Sequence, residues 1–369
     1  MKTYLYHESF SLSMKLALIT DYWIDSDGGG VREYTKRFVA SLKKKIDITV
    51  LFREGIDPQN YKLPFNKIKF ALKARKILSC ENPDIILSQG GWYSLLPALW
   101  YKRKNKNVKV FFLFHTHNNH ALPFYKRYFF NAMLNRCDMV GFVSISLKKN
   151  VEEIQKLKIT KPTCILYAGA EIPSISNEEI RIFKASYGLR ENKIYILGQA
   201  LTANFEKKEG AKLLIQALKQ VRKKHPEINL ILTRKGLFFE ELKEFARKEG
   251  MQDNVVFTGD IQNPIAAIAA SYLLVQAGET LSLSILEAMA FGKPIVVVSK
   301  NSEFSEAVIH RKNGLLVEYK LESIVNAILE LVENPSLAEE LGKTAKSLAE
   351  IKFRWDNTAD LFLKLCRTL

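Results

Sequence analysis

The chain has 369 residues, of which 47% are hydrophobic and 25% charged, a balance typical of a globular protein with room for two domains. This composition excludes a disordered chain. The four cysteines (Cys80, Cys137, Cys164 and Cys366) lie too far apart in sequence to indicate a disulfide framework or a C-x-x-C zinc site, so we expect a reducing cytoplasmic location.

The net charge of +16 is carried almost entirely by the first half of the chain. Residues 1–168 contain 28 lysines and arginines against 13 acidic residues, whereas residues 169–369 contain 27 against 26. Many basic residues of the first half stand beside aromatic ones, as in the run Phe124-Tyr125-Lys126-Arg127. Basic and aromatic side chains together favour an anionic membrane surface, with a solvated surface or nucleic acid as the alternatives.

The first predicted element is a strand at Lys15–Thr20, followed by the glycine-rich loop Asp25–Gly30 and an amphipathic helix over Val31–Leu42. Gly29 and Gly30, just before a helix, would let a phosphate or a sugar approach the backbone closely. A glycine-rich turn that only joins a strand to a helix is the alternative.

Strand-like runs alternate with helix-compatible segments along the whole chain, which indicates an α/β fold. The further runs are Ile46–Phe52, Asp84–Ser88, Val108–Phe114 and Asp138–Ser144 in the first half, and Lys193–Gly198, Asn229–Thr233, Asn254–Phe257, Tyr272–Ala277, Ile295–Val298 and Gly314–Val317 in the second. Between the two series stand Pro162, Gly169 and Pro173, which are typical of a hinge. We therefore predict two Rossmann-like domains, at residues 14–168 and 169–351.

Three histidines occur in the run Phe114-His115-Thr116-His117-Asn118-Asn119-His120, directly after a strand that we expect to be buried. Loops at such strand ends often carry function. The spacing H-x-H-x-x-H allows a metal site, although no carboxylate or thiol is close in sequence. Histidines that are hydrogen-bonded for structural reasons are the other alternative.

The stretch Val275–Val298 predicts a strand, a polar loop, a short helix and a second strand in immediate succession. Gly292 is suited to the position just past the end of that helix. Glu279 lies on the loop and Glu287 about one turn inside the helix, so both can face a ligand above the helix N-terminus. Unpaired N–H groups and the helix dipole favour a phosphate there, and carboxylates beside it suit sugar hydroxyls. The alternative is that the spacing of the two glutamates is fortuitous.

From Glu279 to Pro294 the sequence resembles the signature E-G-F-G-L-x-x-L-E-A-M-A-x-G-x-P of the retaining glycosyltransferases of family four. The two agree at Glu279, Leu283, Leu286, Glu287, Ala288, Met289, Ala290, Gly292 and Pro294. Thr280 and Ser282 stand where that family usually has glycine. The resemblance implies the GT-B fold, an α/β architecture of two Rossmann-like domains facing each other across a cleft. It also implies that a C-terminal helix, at about residues 352–369, crosses back to the first domain.

The same resemblance implies roles for individual residues. Glu279 would contact the donor sugar and Glu287 the ribose, and His115, or His117 in its place, would contact the donor sugar and phosphate. The remaining donor-binding candidates are Gly29, Gly30, Gly259, Asp260, Ile261, Ser282 and Leu283. Of these, the turn Gly259-Asp260-Ile261 would lie against the nucleobase.

The resemblance also implies two cations that clamp the diphosphate, and this chain departs from the family at both positions. The family places an arginine after the glycine that is Gly198 here and a lysine before the glycine that is Gly210, but this chain has Gln199 and Glu209. Lys207, Lys208 and Arg234 are the substitutes, and we expect Lys208 to matter most.

We predict a retaining glycosyltransferase that moves a sugar from a nucleotide sugar, such as a UDP- or GDP-hexose, to a hydroxyl of a lipid-linked glycan or lipid. The nucleotide sugar is a co-substrate, and the resemblance implies neither a cofactor nor a metal. The basic first domain would bind the acceptor at an anionic membrane surface, which predicts a cytoplasmic protein held peripherally at the inner face of the cell membrane. No specific nucleic acid is expected.

Two other functions remain as alternatives. A nicotinamide-dependent sugar-nucleotide oxidoreductase or epimerase would explain an α/β first half, but no tyrosine has a lysine four residues later to form the usual acid–base pair. A non-catalytic nucleic-acid-binding protein would explain the charge, but not the glutamate signature.

Overall fold

The computed structural model describes residues 14–118, 120–171, 174–199, 201–202, 205–277, 281–299 and 306–368. Contacts divide the chain into two compact units, which are Met1–Tyr167 with Thr358–Leu369 and Ala168–Asn357. Within the described residues, every helix is too short or too polar to cross a bilayer.

The first unit is built on a parallel sheet of seven strands in the order β3-β2-β1-β4-β5-β6-β7. Its strands are β1 Lys15–Tyr22, β2 Asp47–Glu54, β3 Tyr61–Lys62, β4 Ile85–Gln89, β5 Lys109–Phe114, β6 Met139–Phe142 and β7 Thr163–Ile165. Its helices are α1 Gly29–Leu42, α2 Lys67–Glu81, α3 Trp92–Lys104, α4 Phe124–Leu134 and α5 Ile145–Lys149, with a π-helical turn at Asn150–Ile154. The central strands are buried along nearly their whole length, as a parallel sheet covered on both faces requires.

The second unit has a parallel sheet of six strands in the order β10-β9-β8-β11-β12-β13. Its strands are β8 Ile194–Gly198, β9 Ile228–Thr233, β10 Val255–Gly259, β11 Leu273–Ala277, β12 Ile295–Ser299 and β13 Leu315–Glu318. Its helices are α6 Asn177–Ser186, α7 Phe205–Val221, α8 Phe239–Lys248, α9 Pro264–Ala270, α10 Leu283–Ala290, α11 Leu321–Glu333 and α12 Pro335–Lys352. The predicted α/β class, with a Rossmann-like parallel sheet in each half of the chain, is confirmed.

The last helix, α13, spans Trp355–Thr368, and its C-terminal part belongs to the first unit. The Thr358 hydroxyl donates a hydrogen bond to the Tyr167 carbonyl at 2.7 Å. The Phe362 ring lies 5.6 Å from the Phe38 ring and 5.1 Å from the Phe111 ring, both in edge-to-face contact. Aromatic packing therefore fixes the return of the chain to the first sheet.

Several element boundaries differ from those that the sequence predicts. Helix α1 begins at Gly29 rather than Val31, so the two glycines form its first turn. Strand β6 ends at Phe142 because Ser144 is already the N-cap of α5, where its Oγ accepts a hydrogen bond from the Leu147 N–H at 3.0 Å. The two-residue β3 and three-residue β7 are too short for their periodicity to be detected.

Gly210 is required for α7 to pack against β11. A Cβ at this position would lie 2.4 Å from the Ala277 Cβ, which is well inside van der Waals contact. The close approach brings the start of α7 beside the end of β11, and these are the elements that carry several candidate site residues.

We expect Gly210→Ala to destabilise the second unit by roughly 1–3 kcal/mol, because the added methyl group overpacks the helix–strand contact. Thermal unfolding followed by calorimetry measures the change. Gly30→Ala is the matched control, since a Cβ at Gly30 would meet nothing within 4 Å. Equal stability of the two variants would contradict this account of the packing.

Candidate active site

The carboxyl ends of the strands in the second unit bring together most of the predicted donor-binding residues. The sheet reverses its order between β8 and β11, and ligands of open parallel sheets bind at such switch points. Arg234 directly follows β9, Gly259 ends β10, and α10 begins six residues after β11 ends at Ala277. Residues far apart in sequence therefore lie along one edge of the sheet.

Helix α10 starts as the sequence predicts and is capped by Ser282. The Ser282 Oγ accepts a hydrogen bond from the Ile285 N–H at 3.3 Å and donates one to Gln276 Oε1 at 3.3 Å. The serine that replaces the family's glycine is thus an N-cap, held in place by the buried end of β11. Gly292 has φ +68 and ends the helix, as predicted.

Of the two signature glutamates, Glu287 is buried on α10 with 6% of its surface exposed. Glu279 lies outside the described residues, so its predicted contact with the donor sugar stays a prediction. Leu283 is the first residue of α10, and the early N–H groups of a helix have no intrahelical partners. This helix end suits a phosphate group.

Lys208, the cation that we expected to matter most, lies in a structural cluster. Its Nζ is 3.2 Å from Glu241 Oε1 and 3.6 Å from Glu209 Oε1. It also lies 4.6 Å from the ring centroid of Phe205 and 4.5 Å from that of Phe238. A lysine with two carboxylates and two aromatic faces is already well stabilised, so these contacts favour a role in joining α7 to α8.

Lys207 and Arg234 form a different kind of pair. The pKa of Lys207 is lowered, first by burial and then by the positive charge of Arg234. A lysine whose pKa is lowered by a second cation is a favourable neighbour for a dianionic ligand, because binding of the ligand removes the repulsion on the lysine. Lys207 is therefore a stronger candidate for the diphosphate than Lys208.

Arg234 is held in an uncommon backbone conformation with φ +75. Its N–H donates to the Gly259 carbonyl at 2.6 Å, and its carbonyl accepts from the Thr202 hydroxyl at 2.6 Å. The Lys235 N–H donates to Asp260 Oδ1 at 3.1 Å. Gly259 and Asp260, predicted to lie against the nucleobase, thus fix the loop that carries Arg234, while Ile261 follows as a partly exposed residue.

Gln199, which stands where the family has arginine, has an enclosed side-chain oxygen. Among the described residues, Gln199 Oε1 has no hydrogen-bond partner. An enclosed acceptor without a donor is costly, and a ligand hydroxyl or amide N–H would satisfy it. In the sequence, Gln199 stands out only because it replaces the arginine of the family.

In the first unit, Gly29 has φ +53 at the start of α1, a left-handed conformation that glycine adopts without strain. No atom lies within 4 Å of a Cβ built at Gly30. Gly30 therefore leaves open space at the start of α1, and Gly29 provides the backbone conformation from which the helix begins.

His115 follows β5 and packs edge-on against Tyr34, with ring centroids 4.8 Å apart. The residue is partly exposed, but its Nε2 is enclosed and has no hydrogen-bond partner among the described residues. Burial lowers the pKa of His115 to about 3, so the ring is neutral at physiological pH. His117 lies two residues further along the same loop and is also partly exposed.

A polar cluster that the sequence did not reveal lies at the carboxyl ends of β1, β2 and β4. Tyr93 donates a hydrogen bond to Asp21 Oδ2, and Arg53 Nε lies 3.4 Å from Asp21 Oδ1. Burial raises the pKa of Asp21 above its usual range, and the Tyr93 hydroxyl and Arg53 partly offset this effect. Lys67 Nζ lies 5.1 Å from the Tyr93 ring centroid. The feature of the sequence that could have indicated this cluster is Asp21, which directly follows the predicted apolar strand Lys15–Thr20.

The two halves of the chain match two family models. Residues 180–348 match "Glycosyl transferases group 1", and residues 28–165 match "Glycosyltransferase Family 4". The similar curated proteins include an alpha-monoglucosyldiacylglycerol synthase from Streptococcus pneumoniae, which is 27% identical over 72% of this chain and 63% of its own length. A GDP-mannose-dependent alpha-(1-6)-phosphatidylinositol monomannoside mannosyltransferase from Mycobacterium tuberculosis is 26% identical over 45% of this chain and 47% of its own.

These matches span about half to just under two thirds of the relatives' lengths. Among solved structures, Anabaena HepE in complex with UDP superposes with a TM-score of 0.78 at 17% identity, covering 96% of this chain and all of that one. The same protein is also known in complex with UDP-glucose.

We expect the His115 imidazole to remain neutral down to about pH 3, as observed by NMR of the ring nitrogens. Folding lowers this pKa, so the unfolded chain takes up the proton first. The contribution of this pKa shift to the free energy of unfolding is therefore fully present above pH 6.5, the ordinary pKa of histidine. It is lost as the pH falls towards 3. His225 is the control, because its hydrogen bonds with Glu333 and Glu227 raise its pKa. Titration of His115 near 6.5 would show that its ring is solvated.

We expect Lys207→Ala to weaken UDP binding at least about tenfold, since a charged hydrogen bond to phosphate is worth about 1.5–3 kcal/mol. Titration calorimetry with UDP, and with GDP in parallel, measures the effect. Lys208→Ala should change affinity less, and Lys219→Ala is the control, because Lys219 pairs with Glu249 at 2.9 Å further along α7. If Lys208→Ala weakened UDP binding more than Lys207→Ala, the result would contradict this assignment and indicate that Lys208 binds the diphosphate.

The chain is thus similar to glycosyltransferase families in both halves, and it shares its two-sheet α/β fold with the solved structures.

Proposed function

We propose that the protein is a retaining glycosyltransferase that moves a sugar from a nucleoside-diphosphate sugar to a lipid or lipid-linked acceptor. The observation that carries this proposal is the partly exposed Lys207, whose pKa is lowered first by burial and then by the charge of Arg234, at the same sheet edge as the capped N-terminus of α10. Two cations and a helix N-terminus at the carboxyl ends of parallel strands form a site for a diphosphate. Glu279 and Glu287 would then bind the sugar and the ribose.

In the proposed reaction, the acceptor hydroxyl attacks the anomeric carbon of the donor from the face that the diphosphate leaves. The bond from carbon to the diphosphate oxygen breaks, and the departing phosphate accepts the hydroxyl proton. Lys207, Arg234 and the first N–H groups of α10 would stabilise the charge that develops on the diphosphate, each donor being worth about 2.7–4 kcal/mol. The cations supply this charge, so the scheme requires no metal and no other cofactor.

The neutral His115 fits a role as a hydrogen-bond donor or acceptor rather than as an ion. Its enclosed Nε2 is available to a sugar hydroxyl or a phosphate oxygen, and the low pKa keeps the ring uncharged. His117 is the alternate on the same loop.

The acceptor is proposed to be a lipid at an anionic membrane surface. The names of two relatives describe enzymes of glucosyldiacylglycerol and phosphatidylinositol mannoside synthesis. In this chain, the basic first unit exposes aromatic residues on α4, with Phe124 73%, Tyr125 67% and Tyr128 72% exposed. Such residues sit well at headgroup depth while lysines and arginines contact anionic lipid. We place the protein peripherally at the inner face of the cell membrane.

We expect transfer from one nucleotide sugar among UDP-glucose, UDP-galactose, UDP-N-acetylglucosamine and GDP-mannose to diacylglycerol in phosphatidylglycerol vesicles. The product is detected by mass spectrometry, and its anomeric configuration is assigned by NMR. A product with the anomeric configuration of the donor supports retention, and the opposite configuration would contradict it. Failure of all four donors, together with no calorimetric binding of UDP or GDP, would contradict the proposed function.

A further inference from the structure

An open groove of about 750 Å³ lies between α3 and α4 in the first unit, and none of its lining residues is a candidate active-site residue. Its volume is within the range of small-molecule and lipid sites. The lining residues are Leu96, Leu99, Trp100, Lys102, Arg103, Lys106, Phe129, Met133 and Arg136.

The lining changes from apolar to cationic along both helices. On α3, Leu96, Leu99 and Trp100 precede Arg103 on one face at helical spacing, followed by Lys106 just beyond the helix. On α4, Phe129 and Met133 lie one turn apart, and Arg136 follows just beyond the end of the helix. Each apolar stripe spans four residues, or about 6 Å at 1.5 Å per residue, before the cations begin. One end of the groove is therefore apolar and the other is positively charged.

Three of the four cations that line the groove are available to a ligand, and the fourth is held in an ion pair. Lys102 is tied to Asp138 by an ion pair, and that carboxylate also accepts a hydrogen bond from the Val110 N–H at 2.7 Å. Within the part of the chain that the structure describes, Arg103, Lys106 and Arg136 form no ion pair. A further cation, the Arg75 guanidinium, lies 5.7 Å from the Trp100 ring centroid.

We propose that this groove, which we call the α3–α4 groove, binds one anionic phospholipid of the membrane. The acyl chain would lie along Leu99, Trp100 and Phe129, and the phosphate of the headgroup would meet Arg103, Lys106 and Arg136. A charged headgroup attached to an apolar chain is complementary to a groove with this order of residues. The proposal rests on the membrane association proposed above and names the surface and the lipid that provide it.

The exposed aromatic residues of α4 support this occupant. Phe124, Tyr125 and Tyr128 extend the apolar surface beyond Phe129, which is itself 48% exposed. The Arg127 guanidinium lies 5.7 Å from the Phe124 ring, and Lys126 Nζ lies 5.8 Å from the Tyr125 ring. Paired aromatic and cationic side chains favour the boundary between headgroups and acyl chains over a nucleic acid, which lacks an apolar chain.

Trp100 provides a direct measurement of acyl-chain binding. We expect its fluorescence to be quenched when the full-length protein binds vesicles of phosphatidylcholine and phosphatidylglycerol with brominated acyl chains, at about 0.1 M salt. Trp100→Phe should lose much of that quenching, while Trp23→Phe should keep it, because Trp23 is buried with 2% exposure. Equal quenching in both variants would overturn the proposal.

A second arm uses surface residues whose replacement is compatible with folding. Arg103→Gln, Lys106→Gln and Arg136→Gln combined should weaken binding to phosphatidylglycerol vesicles at least about tenfold. The matched control, Lys36→Gln, Lys43→Gln and Lys44→Gln, removes the same charge from exposed positions on and just after α1 and should weaken it much less. Equal losses in the two variants would show diffuse electrostatic attraction and overturn the proposal, as would binding of the protein to duplex DNA but not to vesicles.

These measurements are independent of catalysis. If Trp100 is quenched and the triple variants differ as expected, the groove is supported even when no nucleotide sugar is a donor. In that case only the proposed enzymatic function fails.

Discussion

The burial of both faces of the two parallel sheets is the constraint on which the rest of the structure depends. Strands such as β4, β9 and β11 are buried at every position, so they offer no place for polar chemistry along their length. Polar residues collect instead where the strands end, because parallel strands bring all their carboxyl ends to one edge. The Arg234 loop, the N-cap Ser282 and the Asp21–Tyr93 pair all lie at such edges.

At the edge of the second sheet, the surrounding structure maintains a backbone conformation and a lysine environment that are unfavourable by themselves. Arg234 keeps a left-handed backbone because its N–H and carbonyl are bound by Gly259 and Thr202. Lys207 is partly exposed, and burial and the charge of Arg234 both lower its pKa. Positions that cost stability in the absence of a ligand, and would be relieved by an anion, are typical of binding sites. Lys208 is stabilised by two carboxylates and two aromatic rings.

Sequence patterns predicted the elements well, and the roles of particular side chains less well. Helix α10 and its Gly292 terminus follow from apolar spacing and from backbone preference, which are local properties. Ser282 was also predictable, because a serine just before an apolar helix is a common N-cap, whereas the family's glycine at this position has no side chain to cap a helix. The partner of Lys208, Glu241, is 33 residues away, so only the folded chain distinguishes Lys208 from Lys207. The same limit applies to Asp21 and Tyr93, which are 72 residues apart.

The central claim is that a nucleoside diphosphate binds at the carboxyl edge of the second sheet. Hydrogen–deuterium exchange with and without UDP tests it most directly, because bound phosphates and their contacts slow the exchange of nearby amides. The account predicts protection at the starts of α7 and α10 and in the 234–236 and 259–261 loops. Protection confined to the first unit, or none at a UDP concentration that saturates binding, would contradict it.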